Sequence, residues 1–342
     1  MSDRFIRQER LPQIGAEGQA KLAAARVALV GVGATGSHLA ASLGRAGVGR
    51  TEKGGLLRLI DRDIVELSNL PRQTLFTTAD VESVRPKAEA AAEALEHIDP
   101  GLALEPVVED LVSDNANQLL GDVDLVLDGT DNFTTRMLVN DLCVRDGRPW
   151  IYSGVVGTEG QLLVVRPSTA CLRCYVPELP APGTLQTCDT AGVLGSVVSL
   201  ITSLVATESL KIILKSEDVR DGEVFVVNGW RGDVRTVSLS VDPTCPCCQH
   251  HSYEFLNSQT AAIPTELCGR DAIQLPPTGA PVDLESAAKR LAKEGNVTRS
   301  RFLVRLDSPD RRLLLFADGR VIIDNTKSVR EARSVRAKLL GD

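Results

Sequence analysis

Val27–Ala28–Leu29–Val30, followed at once by Gly31–Val32–Gly33–Ala34–Thr35–Gly36, is the stretch from which the architecture reads. A helix-like segment, His38 to Gly47, comes next, and a second apolar run, Leu56 to Ile60, ends in Asp61. The order is strand, glycine loop, helix, strand, acid. Glycines let the backbone turn tightly and approach a phosphate, and a helix N-terminus offers free N–H groups to an anion. An acid at the end of the second strand accepts a ribose hydroxyl. Gly31, Gly33, Gly36 and Asp61 are therefore the candidate nucleotide contacts, on a Rossmann-like, doubly wound α/β sheet. Asp61–Arg62–Asp63, Val65 and Ser68–Asn69–Leu70–Pro71–Arg72–Gln73 follow directly. A dehydrogenase has no need of an arginine so placed; an enzyme that handles a triphosphate does.

The chain has 342 residues, enough for one large or two modest domains. Hydrophobic residues make up 43% and aromatics only 4%, so the core is mostly aliphatic. A net charge of −7 argues against non-specific nucleic-acid binding and suits a partner with a basic docking face. The polar start, Met1–Ser2–Asp3–Arg4, does not resemble a signal peptide. The longest apolar segment, Val193 to Leu214, carries Ser and Thr throughout and is broken near its end by Glu208 and Lys211. Its uninterrupted part is shorter than the roughly 20 residues of a membrane span. It reads as a core or subunit-interface helix, and the expected location is cytoplasmic, without a membrane partner. In that setting the eight cysteines point to metal or thiol chemistry rather than disulfides.

Ser2 to Ala25 reads as an arm and then a helix, with Leu11, Ile14 and Leu22 as apolar points. So few anchors suggest an arm ordered by a neighbouring subunit. Arg4, Arg7 and Arg10 recur every three residues, the spacing of a solvated basic face. Thr51 to Gly55 is a polar insertion that lengthens the gap between the glycine loop and Asp61 slightly beyond the usual roughly 20 residues. Leu67 to Thr78 should be a loop. Pro86 fits the first turn of a helix that continues through Lys87 to His97. Leu125–Val126–Leu127–Asp128 reads as another buried strand, ending in Gly129–Thr130–Asp131–Asn132. Ligands on such sheets gather at the carboxyl ends of strands, which puts Asp131 on the same rim as the glycine loop and Asp61. Asp131 is then either a helix cap or part of a metal–phosphate site.

Trp150–Val156 and Leu162–Val165 read as strands, followed by Cys171–Leu172–Arg173–Cys174, a Pro/Gly-bearing loop with Cys188, the Val193–Leu214 helix and two further strands. Cys245–Pro246–Cys247–Cys248 closes the region. Two C-x-x-C pairs, Cys171/Cys174 and Cys245/Cys248, supply the four thiolates of a structural zinc that staples the domain end to a mid-chain loop. Cys247, His250 and His251 stand as alternative ligands, and a redox C-x-x-C as the alternative chemistry. Cys188, before a helix N-terminus, is either a stabilised thiolate or a small buried thiol. Residues 1–250 form the expected ATP-binding domain. Residues 253–342 read as a small α+β module without a catalytic constellation, with a hairpin turn at Asp318–Gly319.

Taken in order, these residues resemble the ThiF/MoeB-type adenylyltransferases, bacterial relatives of ubiquitin-activating enzymes. The resemblance covers the first ~250 residues. It runs through Arg7–Gln8, the glycine loop, Asp61–Arg62–Asp63, Ser68 to Gln73, Pro86–Lys87, Thr130–Asp131–Asn132, Ser153–Gly154, Glu159–Gly160–Gln161, the four cysteines and Cys188–Asp189–Thr190–Ala191–Gly192. It implies adenylylation of the C-terminal Gly–Gly carboxylate of a ubiquitin-like sulfur-carrier protein, giving an acyl-adenylate and pyrophosphate. It also implies ATP with Mg²⁺, a structural Zn²⁺, a homodimer and a separate sulfur donor, in thiamin, molybdopterin or tRNA-thiolation pathways or in a dedicated conjugation system. By resemblance Asp61 takes the ribose hydroxyls, and Asn69, Arg72 and Lys87 contact phosphates. Asp131 holds Mg²⁺, Arg7 reaches a phosphate from the neighbouring subunit, and Cys188 joins the carrier in some relatives and is dispensable in others.

Three departures stand out: Val84 where the family usually has Gly, the Thr51–Gly55 insertion, and no rhodanese-like domain. The rival from another class, an NAD-dependent oxidoreductase, explains the glycine loop and Asp61. It leaves Arg72, Lys87 and the cysteine pairs idle. A scaffold without turnover would have little use for Arg7, Arg72, Lys87 and Asp131 together.

Overall fold

The computed structural model describes residues 3–179, 191–258, 265–267, 272–277, 281–326 and 328–340. The chain divides into two compact units. The first comprises Met1–Asp63, Leu67–Thr77 and Lys87–Ser258; the second comprises Ile64–Glu66, Thr78–Pro86 and Gln259–Asp342.

In the first unit the apolar runs become strands β1 (Arg26–Val30), β2 (Leu56–Ile60), β3 (Leu104–Val107) and β4 (Leu125–Asp128). The strands β5 (Trp150–Val156), β6 (Glu159–Val165), β7 (Glu223–Asn228) and β8 (Asp233–Ser238) follow. Among the described residues they form one sheet in the order β3-β2-β1-β4-β5-β6-β7-β8. The first five run parallel, and β6 to β8 extend the sheet antiparallel. This is the doubly wound sheet with an antiparallel extension. The order reverses beside β1, so a crevice opens outside the carboxyl ends of β1, β2 and β4, where α/β sheets bind ligands.

The helix Gly195–Leu214 begins two residues inside the apolar segment and runs unbroken for 20 residues. Among the described residues it is the one helix long and apolar enough, by length and composition, to cross a membrane. Here it packs on the helix Ala34–Arg45 and on β5 and β6, burying Val197, Val198, Ile201 and Val205. Glu208 is buried too, its charge met by Lys211 Nζ at 2.7 Å and by Arg220 N at 3.1 Å.

The N-terminal arm corrects an expectation. Its own unit holds it. Phe5 is buried against Gly47, with Arg50 5.4 Å above its ring, and Gln8 donates to Ala46 O at 2.9 Å. Of the expected apolar points Leu22 is fully buried, whereas Leu11 is 49% exposed and Phe5 takes its place as the anchor of the arm.

In the second unit, strands β9 (Thr265–Leu267), β10 (Ala272–Leu275), β11 (Asn296–Arg299), β12 (Leu303–Asp307), β13 (Arg312–Phe316) and β14 (Val321–Asp324) form an antiparallel sheet. Its order is β11-β12-β13-β14-β10-β9 among the described residues. Ile273, Leu275, Val304, Leu306, Leu313, Leu315, Val321 and Ile323 share a core with Ala287 and Leu291 of the helix Leu284–Leu291 and with Ala332 and Leu340 of the helix Val329–Leu340. Leu303, Leu314 and Ile322, on the opposite face by alternation, are buried as well.

Candidate active site

The glycine loop is built by close approach. Gly31 has φ +85°, and a Cβ there would lie 2.6 Å from Gly129 O. A Cβ on Gly36 would fall 2.0 Å from Gly31 O, so the loop after β1, the following helix and the end of β4 meet at a contact that admits no side chain. Gly33 differs: a Cβ would meet only the Gln73 side-chain amide, at 3.8 Å. That leaves open space beside the N-terminus of the helix Ala34–Arg45, an end whose free N–H groups favour an anion.

Asp61 ends the next strand and is buried. Its Oδ2 accepts from Val32 N at 2.7 Å and its Oδ1 from Asp63 N at 2.7 Å, which fixes the carboxylate against the glycine loop. Burial pushes its pKa up, with the Lys87 charge pulling the other way. Lys87 is itself buried, and Lys87 Nζ donates to Asp63 Oδ2 at 3.1 Å. Burial alone would favour neutral lysine, but the Asp63 and Asp61 carboxylates outweigh it and hold the ammonium firmly charged. Arg62 is fixed by Asp110 at 2.7 Å.

Asn69, Arg72 and Gln73 sit on the turn after β2. Arg72 Nη1 donates to Ser68 O at 2.6 Å, and Asn69 O accepts from Arg72 N and Gln73 N at 3.1 and 3.0 Å. The turn docks on the glycine-loop helix, where Thr74 N donates to Ser37 Oγ at 3.2 Å. Gln73 Oε1 is buried with no hydrogen-bond partner among the described residues, while its Nε2 faces Gly33.

On the same rim, after β4, the cap of the helix Phe133–Arg145 is Asn132, whose Oδ1 accepts from Thr135 N at 2.9 Å. Asp131 is therefore not the cap. Its carboxylate is exposed, and its charge is felt at Lys87, Arg62 and Arg136. Arg136 is a residue that sequence reasoning passed over. It is buried, pairs with Asp128 Oδ2 at 2.9 Å, donates to Thr130 O at 2.6 Å and to Ser153 O at 3.1 Å, and lies over the Phe133 and Tyr152 rings. It fixes the loop that presents Asp131.

Val84 lies in the left-handed region at φ 52°. The backbone thus keeps the shape a glycine would take there, at a strain of about 1–2 kcal/mol for a residue with a Cβ. Arg7 is exposed and forms no ion pair among the described residues. Cys188 lies outside the described residues.

The four cysteines come together: the Cys171, Cys174, Cys245 and Cys248 sulfurs all lie within 4.8 Å of one another. Cys171 and Cys245 are 3.6 Å apart, as are Cys174 and Cys248. Zinc–sulfur bonds of about 2.3 Å place tetrahedral sulfurs about 3.8 Å apart, so the set fits zinc. Cys247 lies outside that set and takes a hydrogen bond from Asn140 Nδ2 at 3.2 Å, while His251 Nδ1 meets the Tyr253 hydroxyl at 3.2 Å. The alternatives to Cys248 are thus not in the cluster.

The ThiF family model matches residues 5–247. The sulfur carrier protein ThiS adenylyltransferase of Bacillus subtilis is 36% identical over 352 aligned positions, covering 100% of both chains. The sulfur carrier protein adenylyltransferase of Thermus thermophilus is 37% identical over 72% of this chain and 90% of its own. The SAMP-activating enzyme E1 of Haloferax volcanii is 35% identical over 72% of this chain and 88% of its own. Among solved structures, Escherichia coli MccB crystallised with ATP shares the fold, at a TM-score of 0.61 and 22% identity over 72% of this chain and 75% of its own.

Proposed function

The chain belongs to the ThiF family, and from that premise we propose that it adenylylates the C-terminal Gly–Gly carboxylate of a ubiquitin-like sulfur-carrier protein. The observation that carries this reading is the charge arrangement at the sheet's carboxyl rim. A buried Lys87 is paired with Asp63 at 3.1 Å and held charged by Asp63 and Asp61, and Asp131, which does not cap the next helix, adds its negative charge to the same lysine.

The carboxylate oxygen attacks the α-phosphorus of ATP, the C(O)O–P bond forms, and the bond from the α-phosphorus to the bridging oxygen breaks to release pyrophosphate. The carboxylate arrives ionised, so no general base is needed. The difficulty lies in alignment and in the negative charge that builds on the leaving group. Gly31, Gly33 and Gly36 hold the nucleotide backbone, Asp61 its ribose, and Asn69, Arg72 and Lys87 its phosphates. Asp131 would supply a hard oxygen ligand for Mg²⁺, which would screen phosphate charge. Arg136 keeps the Asp131 loop in place.

Zinc bound by the four thiolates would be structural, since a closed four-ligand site has no open position for substrate. The working unit is a cytoplasmic homodimer in which Arg7 acts across the interface, and a separate protein donates the sulfur. Cys188 is dispensable for adenylylation itself. A nicotinamide-dependent oxidoreductase would leave the Lys87–Asp63 pair without a task. A second reading is the same acyl-adenylate feeding a dedicated ubiquitin-like conjugation system; the Haloferax relative is named a SAMP-activating enzyme E1. ATP–pyrophosphate exchange with candidate Gly–Gly-ending carriers tests both chemistry and partner. Exchange that proceeds equally without a carrier, or with one lacking the terminal Gly–Gly, would contradict the proposal.

A further inference from the structure

The excursion between Asp63 and Lys87 is divided between the two units. Its middle, Leu67–Thr77, belongs to the first; Ile64–Glu66 and Thr78–Pro86 belong to the second. The two second-unit segments pair with each other, through a bridge between Ile64 and Pro86 and a hydrogen bond from Val65 N to Arg85 O at 2.8 Å. Ile64, Val65 and Val84 are almost fully buried. One residue further on either side, Lys87 N donates to Asp63 O at 2.8 Å, so the pairing continues into the lysine–aspartate clamp.

A cation of the second sheet ties this neck to the module. Arg312 opens β13, and Arg312 Nη1 lies 3.2 Å from Glu66 Oε1 across 246 positions of sequence. The same guanidinium lies 3.4 Å from Asp307 Oδ1 and 3.5 Å from Asp324 Oδ2, on the neighbouring strands β12 and β14. Three carboxylates from three chain segments therefore fix one planar fork. Glu66 is the third residue after Asp63, and Val84, the third before Lys87, is the strained position. A β-branched residue stays at a positive φ only where its surroundings over-determine it.

We infer that Arg312 is a positioning residue for the adenylylation step: through Glu66 it holds the paired neck at residues 64–66 and 84–86, and so sets Lys87 and Asp63 for the triphosphate. The inference rests on the adenylylation reading. When the neck is loosened, the fraction of molecules with Lys87 in place falls, and apparent ATP affinity falls by that fraction. Chemistry within the competent fraction is unchanged, so KM for ATP rises while kcat holds.

The test uses the full chain and reads equilibrium binding of Mg·ATP alongside pyrophosphate exchange. Arg312→Ala should weaken ATP binding and raise KM for ATP about fivefold, the scale on which a partly exposed ion pair shifts an equilibrium. The KM for the carrier should stay put. Arg312→Lys should recover most of the loss. Glu66→Ala should resemble Arg312→Ala, and the double variant should be no worse than the larger single effect, as expected of coupled partners. Lys289→Ala, which removes the exposed pair with Glu285 in the same module, should leave ATP binding unchanged. If Arg312→Ala does not fold, Arg312→Lys and Glu66→Gln carry the comparison. A folded Arg312→Ala protein that binds ATP like the wild type, or single effects that multiply in the double variant, would overturn the inference. Wild-type protein that binds no ATP would overturn the adenylylation reading instead.

Discussion

Lys87 and Asp63, 24 positions apart, are clamped twice: Lys87 Nζ donates to Asp63 Oδ2 at 3.1 Å, and Lys87 N donates to Asp63 O at 2.8 Å. The lysine is thus held charged and oriented before ATP arrives. Pre-organised charge of this kind supplies much of a phosphate-transfer rate, because nothing has to reorient as the leaving group ionises.

Lys87→Ala should therefore lower ATP–pyrophosphate exchange by about 10²- to 10³-fold. Lys87→Arg should recover little, since a planar fork does not replace a compact ammonium. Asp63→Asn should cost less, about tenfold, because Asp61 still attracts the lysine. Steady-state exchange rates decide this, and a Lys87→Ala rate within twofold of wild type would remove Lys87 from the mechanism.

One zinc per chain is expected, held by Cys171, Cys174, Cys245 and Cys248. Cys171→Ser should lose it and lower the melting temperature by more than it lowers exchange in the folded fraction. Metal analysis of protein purified without chelator checks the first point and calorimetry the second. A metal-free wild-type protein with the same melting temperature would contradict both.

Much of this was legible because the physics was local. Strand, glycine loop, helix and acid follow from hydrophobic period and from turns only glycine allows. The paired C-x-x-C spacings carried the metal cluster. What escaped depended on tertiary partners. Arg58 stands inside the apolar run of β2, yet it is buried, because Asp122 at 2.6 Å and Glu105 at 2.9 Å meet its charge. Arg136 gives no sign in sequence of the five groups that converge on it. Strand β11, Asn296–Arg299, is half exposed and polar, so it lacked the alternation that betrays a strand. The neck at 64–66 and 84–86 clusters with residues more than 170 positions away, which no local pattern records.

The Arg58–Asp122 pair gives a pH signature. The Arg58 guanidinium draws the Asp122 carboxyl down to about 2 from 3.8. A carboxylate whose pKa is depressed by folding contributes stability that is present above 3.8 and lost as pH falls through about 2. Asp122 is 49% exposed, so solvent screening limits the contribution to about 1 kcal/mol. Urea unfolding should show Asp122→Asn less stable than wild type by that amount at neutral pH, with the gap closing between about pH 4 and pH 2. A gap that stays constant across that range would show that the charge plays no part.

The proposed role of Arg7 across a dimer interface has a complementation test. Arg7→Ala and Asp131→Ala should each be inactive. If Arg7 acts in trans, each mixed dimer has one site with both defects and one with neither. Mixing under conditions of subunit exchange should then restore about half the activity per mixed dimer, on the logic of an arginine supplied in trans. Heterodimers shown to form but without activity would end the trans assignment.

The measurement that bears most directly on the central claim is ATP–pyrophosphate exchange by wild type and Asp131→Ala with a Gly–Gly-ending carrier and Mg²⁺. Wild type should exchange only when both carrier and metal are present. Asp131→Ala should still bind ATP through the glycine loop and Asp61 but lose nearly all exchange. Carrier-independent exchange by the wild type, or wild-type exchange by Asp131→Ala, would contradict the account.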